Sequence, residues 1–488
     1  MVADHALNEE ERDFISARDH LGIHRMSTPL HPRHSLKPPV VFALLTVFLA
    51  ILCFAGGASR ADVLGQVVVR LTATALLVAV ALFGSRRPEA GAGPVGWLLL
   101  AAFLLVVAQL IPLPPILWEA LPGRQIFSGA AAAAGHEQPW RPWAIVPGAA
   151  INAATSLIVP LAVLLLVGRL GENERRWLPG LLLSLVTASM LVGLIQFSGA
   201  SFDNPLINDS LGQVSGTFAN RNHFALFLAC GCLLAPIWAF RDGRSPQWRA
   251  PAALGLMLVF ELTILASGSR AGVLAGVLAL GLGLAIVRPA AIRTLRSYPR
   301  WTGPALAVGT VAAIAILVLI SFSAGRAVSI DRLATTDPGQ DMRARALPTV
   351  LKMVWHYFPA GTGFGGFDPL FRVHEPLELL QISYFNHAHN DFLEVVLDGG
   401  IFGLSLLAIA VLWWLKASAR AWRAGSSSRH ALPKLGSSIL LLVGIASLVD
   451  YPARTPIIMA VIVIAATWLN GAPGKAAGSA LPAASGHL

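Results

Sequence analysis

Apolar blocks of about 15 to 25 residues with few charged residues recur along this chain, and most of them are long enough to cross a bilayer as a helix. Apolar residues make up 55% of the sequence and charged residues only 13%, whereas soluble domains carry about 25% charged residues. Only helices and closed barrels satisfy their backbone groups in lipid. The blocks therefore predict an all-α, polytopic integral membrane protein with about twelve transmembrane helices.

The predicted spans are 39–56, 62–83, 94–111, 150–167, 177–197, 219–239, 250–267, 271–287, 302–323, 391–415, 435–449 and 454–470. They divide the chain into five parts: an N-terminal tail at 1–38, nine spans within 39–323, a large loop at 324–390, three spans within 391–470, and an Ala/Gly/Pro-rich tail at 471–488, expected to be disordered.

Lysine and arginine are distributed unevenly between alternate loops. With the N-terminus inside, the inner segments hold 23 of these residues, and the short outer segments hold 6 when Arg221 and Arg454 at the mouths of the adjacent spans are counted with them. The outer loop at 324–390 is left out of this comparison because it exceeds the length over which the positive-inside rule works. The bias predicts that both termini are cytoplasmic.

Charge and cysteine content exclude two other classes of protein. The net charge of +10 could suggest a nucleic-acid partner, but the arginines lie between apolar blocks and not in one basic patch. The cysteines are Cys53, Cys230 and Cys232, and all three lie inside apolar blocks. Neither a disulfide framework nor a zinc site is expected.

The outer loop at 324–390 is long for a loop without structure, so we expect it to form a structured cap over the bundle. Residues 341–358 predict a short amphipathic helix that begins or bends at Pro348. A Gly-rich turn follows, and 375–385 predict a second short helix lying on the membrane.

Polar residues are concentrated at the junction between this loop and the tenth span. They are His387, His389, Asn390, Asp391, Glu394 and Asp398. On a helix, four of these would share one face, and ionisable groups at the mouth of a span indicate function. Alternatively, Asn390 and Asp391 cap the helix and complement its dipole. A metal site is a weaker option because no third ligand has a characteristic spacing.

Two arginines stand at the outer ends of other spans. Arg270 lies at the tip of a tight hairpin between two spans, and Arg221 precedes Asn222 and His223 at the start of a third. Each could snorkel to the lipid interface. Small residues around Arg270 permit close helix packing, and three successive polar groups favour an inward-facing site around Arg221.

Charged residues in two outer segments are further candidates. Arg343 and Arg345 precede the Gly-rich turn, and guanidinium groups suit phosphate binding. The turn itself could present backbone amides to an anion or could simply close the cap. In the turn between the last two spans, Asp450 and Arg454 are expected to pair with each other as a structural feature.

These motifs together resemble the O-antigen ligase and O-antigen polymerase family of bacterial membrane glycosyltransferases. The resemblance covers about 216–456, in the order GTFANRNHFA, SGSRAG, GTGFGGF, NHAHNDFLEVVLDGGIFG and DYPARTP. It implies a GT-C-like fold in the bacterial inner membrane. It also implies a metal-independent, cofactor-free, inverting transfer from an undecaprenyl-diphosphate-linked glycan. The acceptor would be lipid A–core for a ligase, or another repeat unit for a polymerase.

The resemblance also implies roles for individual residues. His389 would be the base that activates the acceptor hydroxyl, with Asn390 orienting it and His387 as a second candidate. Arg221, Arg270 and, with a weaker match, Arg345 would stabilise the leaving diphosphate. The supporting residues would be Asn222, Asp391, Glu394, Asp450 and Arg454.

Three alternatives stay open at this level. The ligase interpretation is slightly favoured over an O-antigen or exopolysaccharide polymerase because the HAHN stretch resembles the ligases best. A twelve-span transporter would share the predicted topology, but such carriers often show two related halves, and no internal repeat is evident. A membrane scaffold is disfavoured by the polar clusters. The sequence identifies no protein partner.

Overall fold

The computed structural model describes residues 36–84, 93–200, 204–208, 212–241, 246–305, 308–309, 312, 342–380, 385–425 and 430–471. Its first helices are α1 (Pro38–Ala55), α2 (Leu64–Phe83), α3 (Gly93–Ala108), α4 (Pro115–Glu119), α5 (Gln125–Ala133), α6 (Pro147–Ser156), α7 (Ile158–Val167) and α8 (Glu172–Phe197). The later helices are α9 (Arg221–Phe240), α10 (Arg249–Ser267), α11 (Arg270–Leu295), α12 (Met342–Tyr357), α13 (Phe367–His374), α14 (Asp391–Arg423), α15 (Ala431–Ala446) and α16 (Pro456–Asn470).

The described helices confirm an all-α polytopic membrane protein. Eight helical segments are long and apolar enough to cross a membrane, with α6 and α7 forming one of them, and α3, α15 and α16 are shorter apolar helices. Each overlaps a predicted span. Most of the ninth predicted span, 302–323, and nearly all of both predicted tails lie outside the described residues. The count of twelve spans therefore stays a prediction.

Helix α9 forms the centre of the bundle, since 89% of the residues in its apolar stretch are buried. It packs against α8, α10, α11 and α15. Glycine permits the closest of these approaches, because a Cβ atom at Gly272 would collide with the side chain of Ala225. The first turns of α9 and α11 are therefore held side by side.

Helix α14 bends at Gly400, which has a φ of 55° and a ψ of −138°. Only glycine adopts this conformation readily, and a Cβ atom there would collide with the carbonyl oxygen of Pro359. The bend lets the loop that follows α12 pack directly against α14, where the backbone N–H of Ile401 bonds to Pro359.

The described part of the loop 324–390 contains short helices that pack against α14, and we call this part the cap; its second helix differs from the prediction. Helix α12 confirms the first predicted helix, but Pro348 lies within it. The second helix predicted over 375–385 is wrong for the part that is described, because only a 3₁₀ turn forms at Leu377–Leu379. Pro376 disfavours helical backbone at the preceding residue. Helix α13, which has only 8 residues, was not predicted.

Arg124 attaches the cap to the segment between α3 and α6. Its side chain is fully buried and donates to the carbonyl oxygens of Trp143 and Gly361, both at 3.0 Å. The guanidinium also lies 5.9 Å from the ring centre of Tyr357, and burial lowers the pKa of Arg124 to about 10. The same segment contains the only described sheet, a pair of two-residue strands, β1 (Pro112–Leu113) and β2 (Arg141–Pro142).

Candidate active site

Four of the predicted motifs meet at one end of the bundle, around the carboxylate of Asp450. This side chain is buried, with 2% of the residue exposed. Its Oδ2 atom accepts hydrogen bonds from the side-chain amides of Asn222 at 2.7 Å and Asn220 at 3.3 Å. Its Oδ1 atom lies 3.1 Å from Nδ1 of His389 and 3.8 Å from Nε2 of His223. Asp450 therefore connects α9, the start of α14 and the turn before α16.

The pKa of Asp450 lies well below its ordinary value. Burial alone would raise this pKa, but hydrogen bonds from His223 and His389 and the positive charge of Arg343 lower it further than burial raises it. The backbone N–H of Tyr451 also donates to Oδ1 at 3.0 Å. The carboxylate is therefore ionised at neutral pH and accepts hydrogen bonds only.

Asn222 extends this network to the hairpin that carries Arg270. Its Oδ1 atom accepts a hydrogen bond from Oγ of Ser269 at 2.8 Å. Ser269 in turn caps α11, because its Oγ accepts from the backbone N–H of Gly272 at 3.0 Å. The first residues of α9 and α11, Arg221 and Arg270, are thereby placed at the same mouth, and both are partly buried.

His389 has the geometry of an oriented base. Because Asp450 can only accept, Nδ1 of His389 is the protonated nitrogen, which leaves Nε2 as the basic atom. In the described part of the chain, no hydrogen-bond partner of Nε2 is seen. Burial lowers the pKa of His389, and Asp450 only partly offsets this shift. The imidazole is therefore neutral near pH 7.

The backbone of His389 is also unusual, with a φ of 49°. Residues other than glycine rarely adopt this left-handed conformation, and its cost is concentrated at functional sites in proteins. The ring packs against Tyr451, with centroids 4.9 Å apart, and against Phe385, with centroids 4.8 Å apart. Strained backbone and aromatic packing together fix the direction of the imidazole.

Asn390 caps the helix and does not contact the imidazole of His389. Its Oδ1 accepts from the backbone N–H of Leu393 at 3.0 Å, and its Nδ2 donates to the carbonyl of Leu448 at 3.0 Å. The alternative interpretation of Asn390 as a helix cap is thus confirmed. The orienting contact expected of Asn390 is made by Asp450, because a cap must direct its side chain towards its own helix.

A second histidine–carboxylate pair lies beside the first. Nδ1 of His387 lies 2.9 Å from Oε1 of Glu394, although His387 precedes α14 and does not share its helical face as predicted. Glu394 is fully buried and also accepts from the backbone N–H of Ala388 at 2.8 Å. The ring of His387 contacts Tyr451, with centroids 4.3 Å apart.

The predicted pairing of Asp450 with Arg454 is wrong. Arg454 instead binds two carboxylates of α14, with Nε 3.2 Å from Asp391 and Nη2 3.2 Å from Glu394. Asp391 also accepts from Oγ of Ser447 at 2.9 Å. Asp450 and Arg454 face different sides of the turn because the 3₁₀ turn Pro452–Arg454 reverses the chain between them.

The Gly-rich turn closes the cap, and its described amides do not face an open anion site. The backbone N–H of Gly363 donates to the carbonyl oxygen of Asp398 at 2.9 Å, and that of Gly365 donates to its carboxylate at 3.1 Å. Thr362 lies 3.3 Å from the same carboxylate. The structural interpretation of the glycines is the one that the geometry favours.

Of the two arginines in α12, the structure brings Arg343 to the site. Its Nη2 atom lies 3.4 Å from Asp450 and its Nη1 donates to the carbonyl of Val449 at 2.8 Å. Arg345 faces the cap, where it donates to the carbonyl of Glu378 at 2.7 Å. Arg343 and Arg345 are two residues apart on one helix, so their side chains point in different directions.

Sequence reasoning did not select several residues of this network. They are Asn220, Ser269, Tyr451 and Thr455, whereas His223 was placed in the polar group around Arg221 without a role of its own. All lie inside the recognised motifs, so their position in those motifs was the available signal. Tyr451 is the most connected of them, since its ring contacts three histidine rings. Burial raises the pKa of Tyr451 to about 12, so its hydroxyl stays protonated.

The O-Antigen ligase family model matches residues 252–408. This region is therefore similar to the O-antigen ligase family. The match includes Arg270, the cap, both histidines and the kinked start of α14, and it supports a membrane enzyme of glycan transfer. No curated protein matches the chain.

Proposed function

We propose that this protein is an O-antigen ligase-like glycosyltransferase of the bacterial inner membrane. It transfers a glycan from undecaprenyl diphosphate to a sugar hydroxyl of lipid A–core at the periplasmic face. The observation that carries the proposal is the hydrogen bond between Nδ1 of His389 and buried Asp450 at the mouth of the bundle. This contact leaves Nε2 as a neutral base in an enzyme family that needs one.

The proposed reaction is a direct displacement at the anomeric carbon. The acceptor hydroxyl oxygen attacks this carbon and forms the new glycosidic bond, while its proton passes to Nε2 of His389. The bond between the anomeric carbon and the diphosphate oxygen breaks, and its electron pair leaves with the diphosphate. Asp450 stabilises the imidazolium that forms, in the manner of a carboxylate–histidine pair.

Cationic side chains would stabilise the negative charge on the leaving diphosphate. Arg221 and Arg270 support this role because they begin two helices that meet at the Asn222–Ser269 hydrogen bond. Arg343 is the better placed of the loop arginines, since it lies beside Asp450 with 34% of its side chain exposed. Arg345 would then have a structural role, because it donates a hydrogen bond to the carbonyl oxygen of Glu378 in the cap. This arrangement needs no metal ion.

A polysaccharide profile of a strain lacking the protein tests the proposal. Loss of long glycans from the lipid A–core, with accumulation of lipid-linked polymer, is the result expected for a ligase. Single repeat units on the core would identify a polymerase, which needs the same base and differs in its acceptor. An unchanged profile, or full complementation by both His389→Ala and Arg270→Ala, would contradict the proposed site.

A further inference from the structure

A second polar site lies at the opposite end of the bundle from the candidate active site. It is a cavity of about 120 Å³ where α8, α9, α11 and α15 meet. Arg176 comes from the start of α8 and Arg241 directly follows the end of α9, whereas the candidate active site uses the start of α9. One water molecule needs only about 10–15 Å³ on this measure, so the cavity has room for a phosphate group.

The lining of this cavity is strongly basic. It contains Arg176, Arg241, Arg293, Lys434 and His430, and none of its described lining residues is acidic. Arg241 donates to the backbone carbonyl of Arg176, and its guanidinium lies 5.3 Å from the ring centre of Trp177. These contacts place two guanidinium-bearing residues at the same cavity, and guanidinium groups offer planar donors that suit a phosphate.

The start of α15 adds further donors. Ala431 and Leu432, its first two residues, line the cavity, and no side chain caps this helix from His430. The first amides of a helix lack partners within that helix and carry its positive dipole end. Within the described chain, Nδ1 of His430 is buried and has no hydrogen-bond partner. Both features favour an anion with several acceptor oxygens.

The remaining wall of the cavity is apolar. Its members are Ile237, Phe240, Ile286, Val287, Pro289, Ala290 and Leu432. A free phosphate or a nucleotide would leave this surface unused, whereas acyl chains can cover it. Basic pockets between transmembrane helices are suited to anionic lipid headgroups. The geometry points to a binding site for the phosphate of an anionic phospholipid, in the leaflet opposite the candidate active site.

Native mass spectrometry of the full-length protein in detergent tests this site. The probes are phosphatidylglycerol, cardiolipin and phosphatidylcholine with the same acyl chains, each added at increasing concentration. Saturable binding of the two anionic lipids is expected. In an Arg293→Gln/Lys434→Gln variant, their binding should weaken roughly thirtyfold, because each cation near an anionic lipid contributes substantially to binding.

A matched variant separates this site from the general excess of positive charge at this end of the bundle. Arg420→Gln/Arg423→Gln removes two arginines from the last turn of α14, and these residues do not line the cavity. This variant should bind the anionic lipids like the unmodified protein. Equal weakening in both variants, or equal binding of phosphatidylcholine, would overturn the proposal.

Inorganic phosphate, measured by its effect on thermal unfolding, distinguishes the two sources of a phosphate group. Stabilisation by phosphate that cardiolipin does not compete away would assign the cavity to a soluble anion and overturn the lipid proposal. Arg293→Gln and Lys434→Gln as single variants, each expected to show a partial loss, keep the test valid if the double variant misfolds. None of these measurements depends on glycan transfer.

Discussion

Nδ1 of His389 lies 3.1 Å from Oδ1 of Asp450, a residue 61 positions later in the chain. The same carboxylate contacts Asn220, Asn222 and His223 at the start of α9. Removal of the carboxylate would therefore also disturb the first turn of α9. This relationship turns a histidine that the sequence could only nominate into an oriented base. It also yields the first predictions.

Replacing His389 with alanine should lower the rate of glycan transfer by at least about a hundredfold, the contribution of a positioned general base. The rate is measured with the purified protein, a lipid-diphosphate-linked glycan and isolated lipid A–core. His136→Ala is the matched control, because His136 is exposed in the segment between α5 and β2. Equal rates for the two variants would remove His389 from the mechanism.

The pH dependence of transfer should follow the pKa of His389. Its pKa lies below the ordinary value of 6.5 because of burial, so the rate should fall only as the pH drops below that value. Asp450 raises this pKa, whereas Arg343 and His387 lower it. Asp450→Asn should therefore move the acid limb to lower pH, and Arg343→Gln should move it to higher pH.

These opposite shifts are read from initial rates measured across the pH range at saturating donor. Shifts in the same direction would show that another group controls the acid limb. Asp450→Asn should also lower the maximal rate, because the amide no longer fixes the protonated nitrogen of the imidazole.

Asn390→Ala should affect stability more than catalysis. Loss of the hydrogen bond to the N–H of Leu393 should cost about 1 kcal/mol of the free energy of unfolding in detergent micelles. The transfer rate should stay close to that of the unmodified protein, because Asn390 does not contact the imidazole. Asn390→Asp, which preserves a capping oxygen, should restore the stability. A large loss of rate with unchanged stability would instead support the orienting role.

Arg454→Gln should destabilise the fold by about 3 kcal/mol or more, because it leaves buried carboxylates without their cation. Arg454 contacts Asp391 and Glu394, and its own side chain is only 20% exposed. The measurement is chemical unfolding in mixed micelles, with Arg345→Gln as the control at an exposed position. Asp391→Asn and Glu394→Gln, combined with Arg454→Gln, should recover most of the loss. No recovery would indicate that Arg454 acts through other contacts.

Removal of divalent cations should leave transfer unchanged, since arginines supply the positive charge in the proposed mechanism. The purified protein is treated with EDTA and assayed, then assayed again after addition of excess Mg²⁺. A loss of activity that Mg²⁺ restores would contradict the proposed role of Arg221, Arg270 and Arg343.

The sequence predicted the two histidines of this site but not their carboxylate partners. His387 and His389 stood out because ionisable residues at the mouth of a span are costly. Their partners, Glu394 and Asp450, were assigned only supporting roles, since nothing in the sequence says which carboxylate reaches which imidazole. The sequence favoured Arg345 over Arg343 as a diphosphate ligand. Two residues along a helix rotate the side-chain direction by more than half a turn, so only one of the two arginines could face the site, and the sequence did not show which.

The amino-acid sequence by itself determined the all-α class, the apolar helices that the structure describes and the motifs that belong together, because hydrophobic length and local composition are properties of continuous segments. Only the tertiary structure decided the pairings. Asp450 meets His389 and not Arg454, and Arg454 meets Glu394, because helix packing and the turn Pro452–Arg454 bring together side chains from distant segments. The chemistry of this mouth depends on those distances, which composition and spacing do not specify.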